Sequence, residues 1–280
     1  MSVYIHGGLR SPIGVLNGQY KHMRPEILGS QVIDEIINRY TISHIDGIFC
    51  GNAVGTGGNL GRLMGLMCNL PNSVPAITVD MQCASALMSI EIAYAHIVSG
   101  IMDSAIAGGI ESSSLQPERV YASGDDREGP YKVAQFTPQD QSHLAMLEGA
   151  ERTIHKHNVT KEDLYPHIIG SHQRASAALD NPYLQSHIMP ITIDGKRCID
   201  ECIRPTMNEK LLSRMKPLLG ADSITNAGNA CLTHDGAAFV YLSNKKGPFK
   251  IHSVKPWAGN PQFSPEGALE STEGILKRTD

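Results

Sequence analysis

An α/β layered fold is predicted for this chain, and three observations predict it. Short apolar runs with strand character alternate with longer segments whose apolar residues recur at helical spacing. Residues 74–109, VPAITVDMQCASALMSIEIAYAHIVSGIMDSAIAGG, hold a buried-strand run, a small-residue turn carrying Cys83, an apolar helix and a second strand ending in Gly108 and Gly109. The stretch between those two strands is long enough for a helical crossover, which is right-handed if the strands are parallel.

Taken in order, residues 3–5 read as a short strand, and Arg10-Ser11-Pro12-Ile13-Gly14 as a turn. Arg24-Pro25-Glu26 opens a helix with proline in its first turn, and Ile27, Leu28, Val32, Ile33, Ile36 and Ile37 give its apolar stripe. Residues 45–50 form the next strand. Gly55, Gly57 and Gly61, with Asp80 some way downstream, invite a dinucleotide-binding reading. The fingerprint demands glycines directly after the strand, and Gly-Asn-Ala-Val intervenes, so that reading is set aside. Arg62, Leu63, Leu66, Met67 and Leu70 mark a short amphipathic helix stopped by Pro71-Asn72. The next helix, with Leu87, Ile90, Ala93, Tyr94 and Ile97, is apolar nearly all round and is expected to be buried. Glu111, after the following strand, reads as a structural carboxylate rather than a catalytic one.

From about residue 116 to 204 the composition turns polar and turn-rich. Residues 137–159 read as a long helix, and Thr160-Lys161-Glu162-Asp163 as the capping box of another that runs past His172. An irregular strand pair follows with its turn at Asp194-Gly195. Leu211, Leu212, Met215, Leu218 and Leu219 form another apolar stripe. Residues 235–242 read as a buried strand, and Pro265-Glu266-Gly267 opens a final helix.

Composition excludes several functions. Apolar residues make up 41%, enough for a substantial core. A net charge of −4 and a pI near 6.3 leave no basic footprint for nucleic acid. No window approaches about 18 uninterrupted apolar residues, so no membrane helix is expected. The opening MSVYIHGGLRSPIG is not patterned as a signal peptide, and a cytoplasmic location is expected. Cys50, Cys68, Cys83, Cys198, Cys202 and Cys231 are then expected to be free thiols. Cys198 and Cys202 lack the second ligand pair that structural zinc needs, and no metal or other cofactor is expected.

Cys83 stands where a strand ends and a helix begins. The first amides of a helix lack partners within it, and the helix dipole is positive there. That setting favours a thiolate, the nucleophilic form, and offers donors to an oxyanion beside the sulfur. Ala84, Ser85 and Ala86 keep the turn small enough for a carbonyl to approach. The arrangement suits acyl transfer through a thioester on Cys83, although a cysteine among apolar residues is more often a small buried hydrophobe.

Around these residues the chain resembles the thiolase family. The resemblance is carried by VDMQCASAL, AIAGGIESSS, the opening YIHGGLRSPIGVLNGQYKHMRPEILGSQVIDEII, GNAVGTGGNLGRL, VTKEDLYPHIIGSHQRASAAL and SITNAGNACLTHDGAAFVYLS, all in family order. It implies one half of a layered α/β/α/β/α architecture, a mixed sheet flanked by helices with an inserted loop domain. Residues 1–115 and 205–244 would form the core, 116–204 the coenzyme A-binding insertion, and 245–280 a linker and the start of a second half. The family's second half supplies an asparagine–glutamate motif, a Gly-His-Pro histidine and a second cysteine, and none of these motifs is found here. The resemblance makes Cys83 the nucleophile of a Claisen condensation or its reverse, on coenzyme A thioesters as substrates. It places the loop at residues 227–230 near that nucleophile. It puts Cys231, where the family has serine, against the acyl-CoA, and makes Arg127, Lys132, His172 and Arg174 candidates for its phosphates or pantetheine arm. Leu232 and His234 depart from the family's glycine and asparagine. The resemblance further implies a homodimer, with a separate chain supplying the second half, or else a non-catalytic protein that binds acyl-CoA or lipid or assembles with a partner.

Overall fold

The computed structural model describes residues 1–55, 57–138 and 142–279. It opens with strand β1 (Val3–Arg10) and the short β2 (Gly14–Val15). Helix α1 (Pro25–Arg39) has proline at its start, Glu26 in its first turn and Arg39 in its last, so both ends complement the dipole. Its Leu28, Val32, Ile33 and Ile36 are buried as their spacing predicts. Then come β3 (Gly47–Gly51), α2 (Leu60–Met67), β4 (Ala76–Val79), α3 (Ser85–Val98) and β5 (Ser104–Ser112). A hairpin of β6 (Arg119–Tyr121) and β7 (Gly129–Tyr131) precedes α4 (Ala145–Lys156) and α5 (Lys161–Ala178). The single turn α6 (Pro182–Gln185) leads to the hairpin β8 (Thr192–Ile193) and β9 (Lys196–Arg197). Its turn residues Asp194 and Gly195 both have left-handed φ, as a two-residue hairpin of that type requires. The chain closes with α7 (Glu209–Leu212), β10 (His234–Ser243), β11 (Phe249–Ile251) and α8 (Glu266–Thr279).

Two compact units result. The first comprises Met1–Pro117, Leu179–Cys202 and Thr233–Val254, and the second Glu118–Ala178, Ile203–Leu232 and Lys255–Asp280. In the first, the main sheet runs β11-β1-β10-β5-β3-β4, with β2 paired to β10. β3 is parallel to β4 and β5, while β10 is antiparallel to β5 and β1, so the sheet is mixed. Strand alternation divides the core between its faces. Ile48, Ile106 and Phe239 pack with the α1 residues and Met64 in one cluster; Phe49, Ala105, Ala107 and Leu242 pack with Ala93 and Ile97 of α3 in the other.

Several expectations are corrected. Residues 137–159 are not one long helix; α4 begins only at Ala145, and residues 139–141 lie outside the described ones. On α2 the buried face is Leu60, Gly61, Met64 and Gly65, whereas Leu63, Leu66 and Met67 point outward. The two glycines let α2 sit close: a Cβ on Gly61 would lie 2.7 Å from the Ile77 carbonyl oxygen. α3 is buried along a single stripe, Ser85, Ser89, Ala93 and Ile97, and Leu87 is 72% exposed. The stripe at residues 211–219 gives only the four-residue α7, with Leu212 buried and Leu211 and Leu218 exposed.

The unit boundaries also differ from those expected. Residues 179–202 join the sheet unit, because Met189, Ile191 and Cys198 enter its core. Arg10 there clamps Asp200 in a two-pronged ion pair, 2.7 Å at each prong, and the Ile13 amide adds a third bond at 2.8 Å. Burial works against the Asp200 charge, but these donors outweigh it and hold its carboxyl below the usual range. The stabilisation is therefore complete above the unfolded-state value of about 4 and is lost as pH falls through the lower folded value. Asp200→Asn should cost roughly 1.5–3 kcal/mol at neutral pH, since charged hydrogen bonds are broken, and less as the medium is acidified. Urea titrations at pH 7 and in acid check this; an equal loss at both would refute the assignment.

The second unit is held by different means. Thr160 and Asp163 bond reciprocally, the Asp163 amide to the Thr160 hydroxyl at 3.2 Å and the Thr160 amide to the Asp163 carboxylate at 2.9 Å, which is the expected capping box of α5. α8 is tied to α4 where Lys156 and His157 meet Glu266 at 2.9 and 2.6 Å.

Candidate active site

The turn after β4 is built by short-range hydrogen bonds. The Asp80 carboxylate accepts from the Gln82 amide at 2.9 Å, and the amides of Ala84 and Ser85 donate to the Met81 and Gln82 carbonyls. The Ser85 hydroxyl accepts from the Met81 amide at 2.8 Å and donates to the Gln82 carbonyl at 2.5 Å. One side chain thus locks both sides of the turn, a role beyond the smallness the sequence suggested. Gln82 takes φ of +51°, a left-handed conformation uncommon for a non-glycine residue and often found at functional turns. The next residue, Cys83, stands exposed just before α3.

Small residues seat this turn on the sheet. A Cβ on Gly51, the last residue of β3, would lie 2.6 Å from the Ala86 nitrogen and the Ser85 carbonyl carbon. A Cβ on Gly109 of β5 would lie 3.3 Å from that of Ala86. The first turn of α3 therefore rests on the end of β3 and on Gly109 within β5. Glu111 is structural, as expected: it accepts from the Asn52 side chain at 2.8 Å and from the Ala53 and Val54 amides at 2.9 and 3.1 Å, bracing the loop after β3. Asp80 is occupied by the turn, and the Gly57 and Gly58 bends lead into α2, capped by Asn59.

The other thiols separate by burial. Cys50 and Cys68 are buried, and burial pushes both thiols up to about 12; Cys198 is also raised by burial. Cys83 and Cys231 are the exposed ones. Among the described residues no cluster of metal-ligating side chains occurs, and no helix is long and apolar enough to cross a membrane. Two surface pockets, of about 380 and 320 Å³, flank Met189 and Pro190, the first against α1 and the second against residues 197–200, and Cys83 lines neither.

The remaining candidates lie in the second unit, His172 and Arg174 together on α5 and the others on different segments. Arg127 braces the β6–β7 hairpin: it pairs with Asp125 at 2.8 Å and covers the Tyr121 ring at 4.1 Å, while Tyr121 stacks on Tyr131. His172 accepts the Arg204 amide at 3.2 Å, joining α5 to the segment before α7. Arg174 is exposed on α5 and lies back over Gly170. Cys231 ends a loop held by side-chain bonds from Asn226 and Asn229, which take the Gly228 and Asn226 amides at 2.8 and 2.7 Å.

The profile of the thiolase N-terminal domain matches residues 3–246. This chain belongs to the thiolase family. Among curated proteins it is 33% identical over 245 residues to the Staphylococcus epidermidis protein named "Putative acetyl-CoA C-acetyltransferase VraB", covering 83% of this chain and 62% of that one. It is 31% identical to the protein of the same name from Staphylococcus aureus strain MSSA476, covering 86% of this chain and 65% of that one. The thiolase chain thus spans less than two thirds of the length of these relatives. The crystal structure of the Bacillus anthracis acetyl-CoA acetyltransferase superposes with a TM-score of 0.80 over 98% of this chain and 76% of that one, at 23% identity. The mixed sheet flanked by helices is the thiolase N-terminal half.

Proposed function

We propose that this thiolase chain is the nucleophile half of an acyltransferase acting on acyl-CoA. The observation that carries the reading is Cys83, an exposed thiol on a left-handed turn at the head of α3, in a chain of this family. The Cys83 sulfur attacks the thioester carbonyl and the coenzyme A sulfur leaves, taking up the proton that Cys83 gives up. The products are an acyl-Cys83 thioester and free coenzyme A. The Ala86 and Leu87 amides, in the first turn of α3, are suited to the oxyanion. Cys231, Arg127, His172 and Arg174 are proposed as acyl-CoA contacts, of which Arg174 is the least engaged elsewhere. In a complete condensation a base then removes an α-proton from a second acyl-CoA, and the carbanion attacks the thioester. The names of the relatives point to acetyl-CoA as the acyl donor. Intact-mass measurement after incubation with acetyl-CoA tests this: one acetyl group on Cys83 is expected, and none on the folded chain would refute it.

A second reading, assembly with other chains, is favoured by one specific observation. Among the described residues β4 ends the sheet with one side unpaired, and Ile77 on it is exposed, as are Leu63, Leu66 and Met67 on the adjacent α2. Apolar residues beside an open edge suit pairing with another chain. The proposed state is a homodimer joined at β4, with a separate chain completing the site. Sedimentation should show a dimer at micromolar concentration that Ile77→Lys converts to monomer; a monomeric wild type would end this reading.

A further inference from the structure

Glu151 lies on the inward side of α4, 9% exposed, and among the described residues it is the helix's one buried charged side chain. Its carboxylate accepts from the Ile224 and Thr225 amides at 2.8 Å each, from the Ser223 hydroxyl at 3.2 Å and from the Thr225 hydroxyl. His155, one turn along, approaches it at 3.2 Å. All these partners lie within the second unit. The segment so gripped leads directly into the bonds that shape the loop: Asn229 takes the Asn226 amide and donates to the Ile224 carbonyl at 3.0 Å, and the Ala230 amide returns to the Asn226 carbonyl at 2.9 Å. Cys231 is the next residue.

We infer that Glu151 is a positioning residue: its buried carboxylate fixes residues 223–225, and through the asparagine-bonded loop it sets the place of the Cys231 thiol. A structural anchor for α4 alone would need no such concentration on one short segment. Four donors from three consecutive residues fix that segment's backbone, and the loop bonds carry the constraint onward. The inference deepens the proposed function, since it matters for acyl-CoA only if Cys231 touches that substrate.

The test uses the full chain and peptide-resolved alkylation of Cys231 by iodoacetamide, with Cys83 in the same molecule as reference. Glu151→Gln and Thr225→Val cut the clamp from opposite ends. Each should change the Cys231 rate at least five-fold while the Cys83 rate stays within two-fold, and the double variant should add nothing further. Unchanged Cys231 rates, additive effects, or Cys83 and Cys231 moving together would overturn the inference. If Glu151→Gln does not fold, Thr225→Val alone decides by the same ratio. Protection by acetyl-CoA is read in parallel: wild-type Cys231 left unprotected counts against its proposed substrate contact, while the ratio without ligand still decides the role of Glu151.

Discussion

Cys83→Ala should abolish acetyl labelling of the chain by acetyl-CoA, and Cys83→Ser should abolish it nearly as fully. The expected loss is at least about 10³-fold in labelling rate, because removing a nucleophile leaves nothing to carry the acyl group. Serine does not substitute, since at neutral pH its hydroxyl is far less ionised and less nucleophilic than a thiol. Labelling should be followed over hours, so that a slow transfer is still read. Two controls give the result its meaning. The side chain of Cys83 is exposed, so its replacement should alter unfolding free energy by no more than about 0.5 kcal/mol, and a larger change would signal a damaged turn. Cys231→Ala should keep the single acetyl group while requiring more acetyl-CoA to reach it. Acetylation that persists in Cys83→Ala, or that moves to Cys231, would assign the chemistry elsewhere.

The order of β4, the Cys83 turn, α3 and β5 is legible because its signals are local. A β-branched run, small turn residues and apolar recurrence each act within a few residues. The capping box of α5 is legible for the same reason. The helix α2 is legible but its buried face is not, because that face is made partly of Gly61 and Gly65, which a hydrophobic stripe does not register; close approach to the sheet, not side-chain volume, decides which way it faces. The place of residues 179–202 depends on Arg10 meeting Asp200 across 190 positions, a pairing with no local trace. The β6–β7 hairpin is held by Tyr121, Tyr131 and Arg127 stacking rather than by strand alternation. Glu151 looks like an ordinary surface charge on an amphipathic helix. Only the fold reveals that Ser223, Ile224 and Thr225 converge on it. At the candidate site, the place of Cys83 between β4 and α3 and the structural role of Glu111 are readable from position, whereas the lock supplied by Ser85 is not.

Gly51→Ala should cripple the nucleophile without touching it. The added Cβ would lie 2.6 Å from the Ala86 nitrogen and the Ser85 carbonyl carbon, and 2.9 Å from the Ser85 Cβ. Two of these are backbone atoms of the first turn of α3, so no side-chain rotation relieves the clash. Either β3 withdraws from β4 and β5, to which Gly51 is paired opposite Val79 and Gly109, or the head of the helix lifts. Overpacking of this kind costs typically 1–3 kcal/mol. Lifting is the easier response, because the turn before α3 is exposed while the strands are held on both sides. It strains the Ser85 hydroxyl bonds to Met81 and Gln82 and with them the left-handed Gln82 that presents Cys83. Acetyl labelling should fall at least tenfold while most of the fold survives. Gly65→Ala is the matched control. Its Cβ would meet Ile48 and Ala76 side-chain atoms at 3.3 and 3.4 Å, which small shifts can relieve, and alanine gains up to about 1 kcal/mol over glycine inside a helix. That variant should be as stable as wild type or more so, and should label at the wild-type rate. If Gly51→Ala labels as fast as Gly65→Ala, the seating of α3 on β3 and β5 does not govern Cys83, and the exposed thiol would owe its position to the turn alone.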